Sequence, residues 1–241
     1  MKLNLENVSK TYGDAKILKN VSLNLESGGV YGLVGPNGAG KTTLIKLLTT
    51  LEKPTSGKIS LNDADIILDP KAIRGKLGYL PQDVNVYPNL TSVEYLTYFA
   101  GIKGINKKSI KPHVEELLNL FNLTPYTNKK LGTYSGGMKQ RIGLACALLG
   151  NPQIIILDEP SVGLDPEERM NLRNLFETLA KTRILILSTH IISDIELTAK
   201  NIIVLQSGEI KFAGTKDDFV NTNANFEQAY LNAIGKGHMY A

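Results

Sequence analysis

A single cysteine, Cys146, is all the thiol chemistry this chain of 241 residues carries. An internal disulfide is therefore excluded, and a reducing compartment suits the chain. Long apolar runs are missing as well: the most apolar stretches, Ile154-Ile155-Ile156-Leu157 and Ile202-Ile203-Val204-Leu205, fall far short of the ~20 residues a membrane helix needs. The chain is not expected to cross a membrane by itself, and the lack of an apolar N-terminal stretch points to the cytosol rather than to secretion. There is no basic tract either. Lys+Arg 27 against Asp+Glu 23 leaves +4, with the two signs intermixed, which gives no stripe for nucleic acid. The slight basic excess is compatible with lying near an anionic membrane surface. The length suits one large domain, or one domain carrying an insertion.

What is present centres on Gly35-Pro36-Asn37-Gly38-Ala39-Gly40-Lys41-Thr42-Thr43, which meets every defined position of the phosphate-loop pattern G-x-x-x-x-G-K-[ST]. Val30 to Val34 reads as a buried strand before it, and Leu44, Ile45, Leu47 and Leu48 form a helical stripe after it. Glycines let the backbone turn tightly enough to aim successive N–H groups at phosphate oxygens, and the helix N-terminus adds its partial positive charge. Lys41 is expected to reach the β- and γ-phosphates, Thr42 to ligate Mg²⁺ through its hydroxyl, and Thr43 to hydrogen-bond the α-phosphate.

Around the loop, Leu3, Leu5, Val21, Leu23 and Leu25 alternate with polar residues as half-buried antiparallel strands do. Tyr12, at the end of the first, is either a base-stacking platform or an ordinary tyrosine, and the phosphate loop downstream raises the first reading. Lys58 to Leu61 and Leu77 to Leu80 are further strands, the latter stopped by Pro81. Gln82 follows, available as a metal or water ligand or simply solvated. Helices come next: Thr91-Ser92-Val93-Glu94 has the capping-box pattern, and Ile110, Val114, Leu117, Leu118 and Phe121 make one apolar face, with His113 off it and expected at the solvated surface. Ser135-Gly136-Gly137-Met138 opens another helix, with Ser135 as N-cap, and reads either as a second anion-binding terminus or as a plain capped helix. Cys146, within that helix, is expected to be a small packed residue.

Ile154 to Leu157 is an unbroken apolar strand ending in Asp158 and Glu159, as in a parallel sheet covered on both faces, where ligands bind at the carboxyl ends. Asp158 is expected to hold Mg²⁺ through its water shell, and Glu159 to polarise an attacking water. Asp165, Pro166 and Glu168 begin a helix, and a second buried strand, Ile184 to Leu187, delivers His190 to the same edge. Ile202 to Phe212 reads as a closing hairpin, and beyond Gly214 the chain is polar and uninformative.

In this order the motifs resemble the nucleotide-binding subunit of ABC transporters, from Tyr12 to about Phe212. Gly35 to Thr42 matches Walker A, Tyr12 the A-loop, Gln82 the Q-loop, Ser135-Gly136-Gly137 the signature, Ile154 to Asp158 Walker B, Glu159 the catalytic glutamate, Asp165 the D-loop and His190 the H-loop. The resemblance implies an α/β P-loop NTPase with a RecA-like mixed sheet, an N-terminal antiparallel β subdomain and a helical insertion. One domain would cover 1–225, with core at 1–82 and 147–225, the signature-bearing helical subdomain at 83–146 and a short tail at 226–241. It further implies Mg²⁺-dependent ATP hydrolysis by Glu159, His190 and Lys41, with Thr42, Gln82 and Asp158 around the metal. Two subunits would pack head to tail, each signature facing the other's ATP, on the inner face of the membrane beneath a separately encoded transmembrane permease, with no nucleic acid. The signature usually reads Leu-Ser-Gly-Gly-Gln, whereas Tyr134 and Met138 stand at its ends here. Val86 to Thr91 and the short tail look most like bacterial ABC-2 type exporters. The alternative is a soluble ABC-type ATPase acting on nucleic acid or the ribosome; the compact helical insert, single domain and absent basic stripe weigh against it.

Overall fold

Alternating apolar and polar residues make the first two strands long and one-sided. In the computed structural model, which describes residues 1–221 and 223–235, β1 (Lys2–Tyr12) and β2 (Ala15–Glu26) pair antiparallel with Leu3 opposite Leu25 and Leu5 opposite Leu23. β3 (Gly29–Val34) runs into the phosphate loop and α1 (Lys41–Leu48), after which β4 (Ser56–Leu61) and β5 (Ala64–Asp65) return to the first sheet in the order β2-β1-β4-β5. A single turn, α2 (Lys71–Arg74), leads to β6 (Leu77–Leu80).

The helical arm follows as α3 (Ser92–Ile102), α4 (Lys107–Leu120) and α5 (Gly136–Leu148). Thr91 caps α3 through the expected box, its side chain and that of Glu94 each satisfying the other's backbone N–H. The chain then re-enters the main sheet with β7 (Ile154–Asp158), α6 (Pro166–Ala180), β8 (Ile184–Ser188), α7 (Ile192–Thr198), β9 (Asn201–Gln206) and β10 (Glu209–Thr215). The six strands lie in the order β10-β9-β3-β8-β7-β6, parallel except for the β9–β10 hairpin.

Both faces of this sheet are apolar, and the period of two sorts its side chains between two cores. Ile154, Ile156, Ile184 and Ile186 pack with α1 and the antiparallel sheet, while Ile155, Leu157, Leu185 and Leu187 pack with the helices on the other side. Continuing the alternation puts Asp158 on the α1 face, the side where the phosphate loop lies.

Three expectations are corrected. The segment beyond Gly214, which reads as polar and uninformative, holds two helices: α8 (Lys216–Val220) and α9 (Phe226–Ala233) dock on β10 through the ring contacts Phe212–Phe219 and Phe219–Phe226, 4.9 and 5.1 Å between centroids. Of the expected tail 226–241, residues 226–235 belong to this packed unit and 236–241 lie outside the described residues. The boundary at 146/147 cuts through α5, whose apolar residues share one core with β6, β7 and the arm, so arm and sheet are not separate packing units. His113 is not merely solvated: its Nε2 accepts the Gly150 N–H at 3.1 Å and its Nδ1 meets Glu116 at 3.2 Å, because the chain turning after α5 needs an acceptor there.

Two outcomes test this packing. Phe226→Ala, at 1% exposure, is expected to cost about 3 kcal/mol or more in urea unfolding, whereas truncating a true tail would cost nothing. Burial also pushes the Cys146 thiol up to about 11, leaving roughly one thiolate in a thousand at pH 8, so a thiol reagent should label the native protein far more slowly than the urea-unfolded chain.

Candidate functional site

The phosphate loop closes on Gly40, whose φ of 106° only glycine takes without strain. No side chain caps the N-terminus of α1, so its leading N–H groups are available to an anion. Lys41 folds back over the loop, its ammonium donating to the carbonyls of Gly35 at 2.6 Å and Pro36 at 3.2 Å. Burial pulls its pKa below the usual lysine value, and the neighbouring carboxylates of Glu159 and Asp158 oppose that.

An open cleft of about 590 Å³ lies over this loop. Asn37 to Thr43 floor it, Tyr12 stands at one end, and Gln82, Asp158, Glu159 and His190 arrive from the carboxyl ends of three strands. Sequence reading had assigned all of these to one site, and the fold brings them together. Tyr12 is 43% exposed, donates its hydroxyl to Glu52, and has the Lys10 ammonium 4.8 Å from its ring centre. Burial raises the pKa of Asp158, with Glu159 adding to the rise. Thr42, Gln82 and Asp158 form an oxygen-only donor set with a single carboxylate. Hard oxygen donors with one carboxylate suit Mg²⁺, which takes few ligands from a protein.

Glu159 is the most constrained residue of the site. Its φ is +53°, left-handed for a side chain with a Cβ. One carboxylate oxygen accepts from the His190 N–H at 2.9 Å and meets His190 Nδ1 at 2.8 Å, and the other accepts from Thr189 Oγ1 at 2.8 Å.

The remaining predicted residues lie outside the cleft lining. Ser135 caps α5, accepting from Met138 N–H at 3.2 Å, with Gly136 and Gly137 forming the first turn. Tyr134 is buried, donating its hydroxyl to the Tyr126 carbonyl at 2.9 Å, and Met138 packs against the apolar core, which accounts for apolar bulk at both ends of the motif. Asp165 is the exposed N-cap of α6.

Sequence reasoning missed Thr189, Gln140 and a buried network behind Glu159. In that network Ser161 Oγ donates to Asp194 Oδ2 at 2.6 Å, and Arg173 donates to Asp194 Oδ1 at 2.9 Å, joining the loop after Glu159 to α6 and α7. No local pattern marks these pairs, because their members are 21 to 33 residues apart.

Residues 18–162, more than half of the chain, match the family described as ABC transporter. The chain belongs to the ABC transporter family. It is similar to the linearmycin resistance ATP-binding protein LnrL of Bacillus subtilis (strain 168), 35% identical over 243 residues that cover 96% of this chain and 78% of that protein. It is also 39% identical over 205 residues to the bacitracin transport ATP-binding protein BcrA of Bacillus licheniformis, covering 84% of this chain and 66% of that protein. A dimeric structure of a bacterial ABC transporter cassette matches it with a TM-score of 0.78 and 31% identity, over 88% of this chain and 98% of that one. As an ABC transporter ATP-binding subunit the chain is an ATPase, and its P-loop fold is the one the motifs implied. No helix among the described residues is long and apolar enough to cross a membrane.

The network behind the ABC site carries a stability test. Arg173→Ala leaves the Asp194 charge, 5% exposed, with only a hydroxyl partner, and is expected to cost about 3 kcal/mol by urea unfolding; Asp194→Asn in the same background should recover part of the loss.

Proposed function

We propose that this chain powers an exporter, hydrolysing ATP in the cleft over Gly35–Thr43 while seated beneath a separately encoded permease on the inner face of the membrane. The observation that carries the reading is the separation of two anion-binding helix ends: α1 opens into the cleft with Asp158, Glu159 and His190, whereas Ser135 and α5 lie outside it. A head-to-tail dimer gives the second end its use, with Ser135, Gly136, Gly137 and Met138 against the partner's ATP and Asp165 beside them. The dimeric cassette that matches this fold supports that arrangement. The names of the linearmycin and bacitracin relatives support a drug or peptide as cargo and export as direction.

Within the cleft, Tyr12 offers its ring to the adenine and the loop N–H groups cradle the phosphates. Lys41 exchanges the Gly35 and Pro36 carbonyls for phosphate oxygens. Thr42, Gln82 and Asp158 would hold Mg²⁺, which would supply positive charge to offset the negative charge of the phosphates. Glu159 takes the proton of the attacking water as general base, and His190, bonded to it at 2.8 Å, orients it and stabilises charge at the γ-phosphate end.

Glu159→Gln keeps the shape of the side chain and removes the base. Turnover of Mg-ATP is expected to fall by about 10²-fold or more, while an ATP-dependent dimer, followed by gel filtration, persists. Rapid turnover by this variant would sink the assigned role. Tagged protein drawn from detergent-solubilised native membranes is expected to bring a polytopic membrane protein with it, and recovery of ribosomes instead would remove the exporter reading.

A further inference from the structure

The left-handed backbone of Glu159 is held from both sides. Its N–H donates to the Ser188 carbonyl at 2.7 Å, and its carbonyl accepts Nε2 of Gln140 at 3.0 Å, together with a longer bond of 3.4 Å from the Val162 N–H. A residue with a Cβ at a φ of +53° is strained and stays there only where its surroundings dictate it. Gln140 is 7% exposed, so its amide is a committed, dry contact.

Gln140 belongs to α5, the helix that opens at Ser135. Gly137 and Gln140 are three apart on it and therefore share a face, and both meet the segment that follows Glu159. The fit at Gly137 is tight enough that a Cβ there would stand 2.7 Å from the Gly163 carbonyl oxygen. On the next position Arg141 pairs with Glu168 at 3.1 Å and reaches the Phe121 carbonyl at 3.4 Å, fastening α5 to the start of α6 and to the end of α4. The first two turns of α5 thus grip the loop from Glu159 to Glu168 within one chain.

We infer that Gln140 is a positioning residue: by holding the Glu159 carbonyl it ties the placement of the general base to the N-terminus of α5. The inference rests on the roles proposed above for Glu159 and Ser135. Nucleotide of the partner subunit, gripped at Ser135, would then set the geometry of Glu159 at this subunit's own nucleotide, so the two sites of a dimer are linked through a hydrogen bond inside each chain.

The test is steady-state hydrolysis of Mg-ATP by the purified full chain and by Gln140→Met, which keeps length and bulk but cannot donate. A kcat lowered about tenfold with KM within about twofold is expected, since only the aim of the base is lost. The same substitution is then made in Glu159→Gln. A residue that acts through Glu159 has nothing left to position there, so the residual rate should not fall further, whereas a residue that merely holds the fold together would lower both backgrounds equally. An unchanged kcat in Gln140→Met, or equal falls in both backgrounds, overturns the inference. If Gln140→Met melts well below the wild type, Gln140→Leu is compared in the same two backgrounds, with the same outcomes deciding. A wild-type chain that does not hydrolyse ATP at all would instead overturn the function proposed in the previous section.

Discussion

From Ile154 to Leu157 the chain is hydrogen-bonded to a strand on each side, and successive side chains enter two different apolar cores. Neither face offers water, so a carboxylate placed within that stretch would be buried without compensation. The first positions able to carry acid are at the carboxyl edge, where Asp158 and Glu159 stand. Strand alternation gives Asp158 the α1 face, and the break in alternation at Glu159, through its left-handed φ, turns the second carboxylate toward Thr189 and His190. Two adjacent acids thereby take up different surroundings, one beside the phosphate loop and one against the end of β8. The proposed division of labour between them follows from that single backbone turn.

Features written in consecutive residues were legible before any coordinates. The phosphate loop, the apolar strands and the helix-opening boxes at Thr91–Glu94 and Asp165–Glu168 are each specified by neighbours a few residues apart, and each is found where the pattern put it. Twelve of the residues assigned to nucleotide, metal or catalysis line one cleft, because strand ends in a parallel sheet converge on one edge. Residues whose meaning depends on distant partners were not legible. The helix beginning at Phe226 is written in aromatic contacts between three separate elements, and neither His113 with Gly150 nor Gln140 with Glu159 has a local signature.

The helical arm looks like an insertion when the chain is read linearly, yet its last helix is shared property. α5 opens beside the loop after Glu159 and closes against β6, with its apolar residues in the same core as β7 and β8. Because its apolar residues lie in that shared core, a displacement of the arm would carry this helix with it. The arm is better regarded as a lever whose short end lies in the sheet.

The ammonium of Lys41 already has two oxygens of its own loop for company. In the role proposed for Lys41, nucleotide would therefore not order a wandering side chain on binding; it would outbid two neutral carbonyls. Little conformational entropy is lost in that exchange, which favours rapid loading. The same exchange would act as a filter: a nucleoside offers nothing better than the carbonyls it must displace, while a polyphosphate offers full negative charge, so a loop in that role would select its visitors by charge.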